Sequence, residues 1–325
     1  MPARTRCGGV CPRFHSVGVG LCVILPPVSL HMTEKIQRSA LYMPASNERA
    51  VQKGPALDAD VIILDLEDSV SPAAKADARA LARHAFQNYD YGPRQRVLRV
   101  NAIETEWFAD DMALVKELQP DAVLLPKVEQ AETIFTVDSE LAGVDTDNRI
   151  GIWAMLETTK AVLNAPAIAS VRQRCSRLST FCIGNNDLAK EAGMRVQSDR
   201  TLLLPWLLNL VLAAKSEQLQ ILDGVFNDFK DTDGFIRECE QGADMGMSGK
   251  TLIHPSQIAA ANTAFSPTNE DIDNARKIVH AFSQAQNADA GVVQINGKMV
   301  ERLHLHMAER TLAIAEHIDQ LNSSL

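Results

Sequence analysis

A TIM (β/α)8 barrel is the fold this sequence predicts, and three observations predict it. Short runs of β-branched and aliphatic residues recur eight times between Ala40 and Ile253, helical patterns fill the gaps, and every run from the second onward ends in polar residues. Eight β-then-α units in about 220 residues have the count and size of such a barrel. An open doubly wound sheet is the alternative, but it would carry a glycine-rich first turn, and no GxGxxG is present.

The predicted strands are 40–44, 61–67, 96–102, 122–128, 151–157, 178–184, 219–225 and 245–253. The second, "VIILDLE", shows the reasoning. Val61 to Leu64 form a continuous apolar run, as expected of a parallel strand buried on both faces. The run then breaks into Asp65, Glu67 and Asp68. After it, Ser71 offers an N-cap and Pro72 a first-turn proline, opening a helix over 73–86. Residues 106–118 and 232–243 carry the three-to-four spacing of amphipathic helices. The apolar span 202–214 is too short to cross a membrane and contains Pro205, so it reads as a buried helix. Beyond the barrel, 266–285 reads as a capped helix, and 291–300 as a hairpin turning at Asn296-Gly297. A last helix is predicted over 305–318, so 266–325 forms a helical and hairpin extension of the barrel domain 32–265.

Composition narrows the function classes. The chain has 325 residues, 46% hydrophobic and 22% charged, with net charge −9 and pI near 5.4. That balance disfavours nucleic acid or an anionic membrane as the main partner. The six cysteines form no CxxC pair, so neither a disulfide framework nor a zinc site is indicated, and a cytoplasmic protein is expected. Residues 1–31 read as an extension ahead of a natural start at Met32, with an organellar targeting segment as the alternative.

In a TIM barrel, chemistry sits where strands end. The ring of polar residues there includes Glu67, Asp68, Arg99, Glu157, Asn186, Asp187, Asp223, Lys250 and His254. One decoy is set aside. "DMGMSGKT" (244–251) resembles a Walker A loop, but Asp244 replaces its first glycine, and Lys250 lies within a strand. His304 and His306 are two apart, so on a helix they face different ways.

Seven segments in register, among them "SALYMPASNERAVQKGPALDADVIILDLEDSV", "AVLLPKVE", "MLETTKAVLNAPAIA" and "FCIGNNDLAKEAGM", resemble the citrate lyase beta subunit family. That group of TIM-barrel enzymes includes malyl-CoA and citramalyl-CoA lyases and related thioesterases. The resemblance spans roughly 36 to 315. It implies that Glu157 and Asp187 ligate Mg²⁺, a hard cation suited to carboxylates. It implies that Arg99 stabilises a charged substrate oxygen, a task suited to a guanidinium. Glu67 and Asp68 are expected to support Arg99 or metal-bound water, or to act as a base. Arg49 and Lys53, with Arg38 nearby, are placed to meet coenzyme A phosphates. The amides of "GNND" (184–187), with Asn186, suit the carboxylate of a small 2-keto acid. In the family the tail covers a neighbouring subunit's barrel mouth and contributes an aspartate, whose place here falls at Glu301. A homo-oligomer, a trimer or its multiple, is therefore implied. The implied reaction is reversible Mg²⁺-dependent cleavage of a carboxylated 3-hydroxyacyl-CoA such as malyl-, citramalyl- or citryl-CoA into a 2-keto acid and an acyl-CoA. An aldolase acting on free acids, a thioesterase and a subunit of a larger lyase complex are the alternatives.

Overall fold

The computed structural model describes residues 35–284, 290–295 and 297–324. Eight parallel strands close into a barrel in sequence order. They are β1 (Ser39–Pro44), β2 (Val61–Asp65), β3 (Gln95–Arg99), β4 (Ala122–Leu125), β5 (Gly151–Leu156), β6 (Leu178–Ile183), β7 (Gln220–Asp223) and β8 (Gly249–Leu252). Around them run α1 (Glu48–Lys53), α2 (Lys75–Asn88), α3 (Phe108–Leu118), α4 (Ala131–Ala142), α5 (Thr159–Ala169), α6 (Asn185–Glu191), α7 (Leu204–Ser216), α8 (Thr232–Asp244) and α9 (Ile258–Ala264). The predicted closure holds, and β1 pairs with β8 to seal it.

Period-two alternation separates two cores. Val61 and Ile63 of β2, Val97 of β3, Trp153 and Met155 of β5 and Cys182 of β6 fill the barrel. Ile62, Leu64 and Leu98 face outward into the larger core beneath the helices. At the amino end the interior is plugged by polar groups: Gln37 donates to Gln95, and Thr180 donates to Gln37. The chain crosses this floor against β8, where a Cβ on Gly249 would lie 1.8 Å from the Gln37 carbonyl oxygen. Only glycine allows that approach.

Three expectations are corrected. The helix after β2 starts at Lys75, not before; Pro72–Ala74 is a single 3-10 turn, and Ser71 makes no side-chain cap. The Lys75 side chain is drawn inward by acceptors in the β2–α2 loop, which fixes where the regular helix begins. The eighth strand is shorter than 245–253, because α8 runs to Asp244 and Gly246 turns with φ of +88°. Lys250, expected in the polar ring at the strand ends, is instead fully buried, paired with Asp223 and Glu238, which also engage Arg200.

Beyond the barrel, α10 (Asn269–Ser283) starts in a reciprocal capping box between Thr268 and Asp271. It packs on α11 (Arg302–Ser324). The hairpin is β9 (Val292–Ile295) with β10 (Lys298–Glu301), antiparallel as predicted. Residues 1–31, Met32 and Asn296 lie outside the described residues. No described helix is long and apolar enough to cross a membrane.

Candidate active site

The alternation that fills the barrel also aims its polar top layer. Two residues after Ile63 comes Asp65, two after Val97 comes Arg99, and two after Met155 comes Glu157. All three line a cavity of about 270 Å³ at the carboxyl ends of the strands, with Asp68, Asn186 and Asp187. Tyr42, Met155, Ile183 and Ile253 supply its less polar walls.

Arg99 is held from three sides. Its Nε and Nη2 donate to Asp65 Oδ1 and Oδ2 at 2.6 and 2.5 Å, a bidentate pair. Its guanidinium lies 4.7 Å from the centre of the Tyr42 ring, within cation–π range. Glu67 Oε2 is 3.1 Å from Nη1, close enough for an ion pair but not aligned as a hydrogen bond. The Arg99 partner expected from the sequence was Glu67 or Asp68; Asp65 takes the main share, because its interior-facing position meets the guanidinium edge-on. Burial works against the charged form of Asp65, yet the hydrogen bonds from Arg99 hold its carboxyl below the usual range. Glu67 is less well compensated. Burial first, then the charges of Asp68 and Asp65, push it up to about 7 despite Arg99.

Glu157 is 2% exposed. Its Oε1 accepts a hydrogen bond from the Lys127 amide at 2.8 Å. Lys127 holds φ at +51°, a left-handed conformation uncommon outside glycine and concentrated at functional sites. Burial, and then the charge of Glu67, push the Glu157 carboxyl up to about 8. Space for it comes from Gly184, where a Cβ would lie 2.4 Å from Glu157 Cβ. Asp187 is half-buried in the first turn of α6, and its charge also opposes ionisation of Glu157.

Among the described residues no cluster of three or more His, Cys, Asp and Glu side chains is arranged to hold a metal ion. Two carboxylates nevertheless suffice for Mg²⁺, which keeps waters and substrate oxygens as its other ligands. Glu157 and Asp187 fit that demand: they are hard oxygen donors lining one cavity, and a cation bound there would offset the charge with which Asp187 opposes ionisation of Glu157. Lys127 and Gly184 orient the first of them.

The other expected residues are placed as follows. Asn186 is at the rim, in reciprocal side-chain hydrogen bonds with Asn227. Asp68 is exposed beside the cavity. Arg49 and Lys53 are exposed on α1, which follows the carboxyl end of β1. Arg38 does not join them. It precedes β1 at the opposite end, buried in a bidentate pair with Asp60 and donating to Ser266. That engagement removes it as a phosphate ligand. Glu301 closes β10, is exposed, and is not part of the cavity wall in its own chain.

Tyr42 escaped sequence reasoning, and Asp65 was read only as one of three carboxylates ending the second run, with no role of its own. The signal for both was the inward-facing parity of their strands, which also holds Ala40 and Ile63.

Comparisons with known proteins agree with the fold. The profile of the HpcH/HpaI aldolase/citrate lyase family matches residues 38–255. A (3S)-malyl-CoA thioesterase of Cereibacter sphaeroides is 44% identical over 88% of this chain and 97% of its own. Citrate lyase subunit beta of Leuconostoc mesenteroides is 31% identical over 87% of this chain and 94% of its own. Among solved structures, protein CitE of Mycobacterium tuberculosis, in complex with magnesium, acetoacetate and coenzyme A, superposes with a TM-score of 0.70. It is 28% identical and covers 86% of this chain and 98% of that one.

Proposed function

The chain belongs to the HpcH/HpaI aldolase/citrate lyase family, and from that premise we propose that it is a magnesium-dependent carbon–carbon lyase. Its substrate is a carboxylated 3-hydroxyacyl-CoA of the malyl, citramalyl or citryl type, cleaved reversibly to a 2-keto acid and an acyl-CoA. The observation that carries this reading is the joint presence, in one 270 Å³ cavity, of the Glu157–Asp187 pair and an arginine locked by Asp65.

Glu157 and Asp187 would hold the ion, which when bound supplies Lewis-acid polarisation of the substrate hydroxyl. Asp68, open to the cavity, is placed to accept the hydroxyl proton. Arg99 spends Nε and one Nη2 hydrogen on Asp65, so its remaining N–H bonds serve the oxygen that gains charge as the bond breaks. Met155 and Ile183 keep water from the breaking bond. Protonation of the enolate carbon falls to Glu301 supplied by a second copy of the chain, since within one chain it stands away from the cavity.

A second reading, thioester hydrolysis, is favoured by the 44% identity to a protein named malyl-CoA thioesterase. One experiment separates them: purified protein is given malyl-, citramalyl- and citryl-CoA, with Mg²⁺ and then with EDTA. Keto-acid release abolished by EDTA supports the lyase. Metal-dependent release of free CoA without keto acid supports the hydrolase. Inert thioesters would sink both.

A further inference from the structure

Asp187 stands on a helix too short to fix its direction. α6 has only 7 residues, Asn185–Glu191, and no side chain caps its start. Two turns are marginal on their own. The capping position is Gly184, and it has no room for a capping side chain, because a Cβ there would lie 2.4 Å from Glu157 Cβ. The aim of Asp187 must therefore be set from outside the helix. We propose that Asn185 is its positioning residue, fastening the first turn of α6 to the loop after β7; the inference rests on the magnesium reading above and extends it from the two carboxylates to the group that aims one of them.

Asn185 is 9% exposed and lines the cavity, as do Asp187 and Val225. Its Nδ2 donates to the Val225 carbonyl at 3.1 Å. Its Oδ1 is buried, and among the described residues nothing donates to it. Turning the amide over would set Oδ1 against the Val225 carbonyl oxygen, so keeping the bond to Val225 leaves Oδ1 stranded. Room for that oxygen comes from a second glycine: a Cβ on Gly224 would lie 2.4 Å from Asn185 Oδ1. For packing alone, an apolar side chain of this size would serve as well or better. A buried amide left half-satisfied points to a task other than stability.

The far end of this clasp is rigid, through buried charges that the reaction does not use. Asp223 closes β7 and is fully buried. Its Oδ1 accepts from the Gly224 amide at 2.8 Å, and its carbonyl accepts from Thr251 Oγ1 at 3.0 Å. Its carboxylate is gripped by Lys250 at 2.8 Å and Arg200 at 2.9 Å. Glu238 reaches the same two cations, so the cluster joins two acids to two bases and anchors the end of β7 without adding net charge to the cavity wall. A line of contacts thus runs from the cluster through Gly224 and Val225 to Asn185, two residues before Asp187. The paired amides of Asn186 and Asn227 span the same two loops, but both residues are exposed, and water can replace their mutual bonds.

The test is calorimetric titration of the full-length protein with Mg²⁺, beside thermal unfolding of the chelated protein. Asn185→Leu keeps the volume and removes the bond. It is expected to weaken Mg²⁺ binding about 10- to 100-fold, the usual effect of losing a group that orients a metal ligand. Its unfolding midpoint should match that of the unaltered protein, because one stranded acceptor, Asn185 Oδ1, is exchanged for another, the Val225 carbonyl. Asn227→Ala, which opens only the solvated pair, should bind Mg²⁺ as the unaltered protein does. Unchanged Mg²⁺ affinity in Asn185→Leu overturns the proposal and leaves the metal reading standing. Weaker binding accompanied by a lower midpoint also overturns it, since the asparagine is then structural only. So does a loss in Asn227→Ala as large as in Asn185→Leu, because any slackening of the rim then has the same effect. Failure of the unaltered protein to bind Mg²⁺ overturns the metal reading and the proposal with it.

Discussion

Arg99 carries two kinds of information, charge and direction, and a substitution can separate them. Arg99→Lys keeps the charge but loses the planar fork that meets both oxygens of Asp65. Turnover should fall about 10²- to 10³-fold, the cost of losing one oriented donor to a developing oxyanion, with circular dichroism unchanged. Glu157 yields a prediction about pH. In the metal-free protein its carboxyl is pushed up to about 8, against about 4.3 for an unfolded glutamate. Above the lower value the unfolded state binds fewer protons than the native state, so stability falls as pH rises from about 4.3 to about 8. Glu67, pushed up to about 7, adds to the same slope. Thermal unfolding of chelated protein should show the midpoint dropping across that window, and Mg²⁺ should restore it. Glu157→Gln should flatten the slope and abolish the magnesium effect. A midpoint in chelated protein that stays level from pH 5 to 8 would refute this account of the buried carboxylates.

At the scale of elements, the site depends on how two loops are fastened. Lys75, the first residue of α2, is 5% exposed and points its ammonium into the β2–α2 loop. Its three hydrogens reach the carbonyls of Leu66 and Glu67 at 2.7 and 2.8 Å and Asn101 Oδ1 at 2.6 Å. Asn101 in turn donates to Asp111. The lysine thus secures the backbone that presents Glu67 and Asp68. Lys75→Met should strand the buried Asn101 Oδ1, at a cost of about 1–3 kcal/mol, while the Leu66 and Glu67 carbonyls keep their bonds from Asn101 Nδ2 and the Val70 amide. Urea unfolding would measure the loss, and turnover should fall further than the lost stability alone explains. The β6–α6 junction is fastened by the absence of a side chain. Gly184→Ala puts a methyl group 2.4 Å from Glu157 Cβ, so the carboxylate must move. Magnesium affinity, followed by calorimetry, should drop at least tenfold while α6 remains helical.

For the whole molecule, the tail decides whether a single chain holds a complete site. The barrel and its cavity are built from residues 39–264, whereas Glu301 stands on a hairpin that packs against α10. If the tail serves a neighbour, two inactive variants should complement each other. Mixed after dissociation and reassembly, Glu301→Ala and Arg99→Ala should regain part of the activity, because some sites then combine an intact barrel with an intact tail. Each variant alone should stay inactive, and a mixture no better than its parts would place Glu301 outside the reaction.

What the sequence determined by itself was the architecture and the address of the site. Period-two runs such as Val61–Leu64 and the polar break after each of them are local signals, set by which residues can be buried and which need water, so eight strands and their functional ends were legible before any contact was known. That Glu157 and Asp187 would face one cavity was legible too, from adjacent strand ends and motif resemblance. Tertiary structure alone decided which partners those residues have. Asp65 rather than Glu67 or Asp68 grips Arg99, because the partner is fixed by which residues face the barrel axis at the same height. Arg38 looked available and is saturated by Asp60, 22 residues away at the far end of the barrel. The stack of Phe229 on His254 likewise joins two loops that only closure of the barrel brings together. Strand formation depends on neighbours along the chain, whereas the identity of a buried ion pair depends on register between strands, and register is settled only when the whole barrel packs.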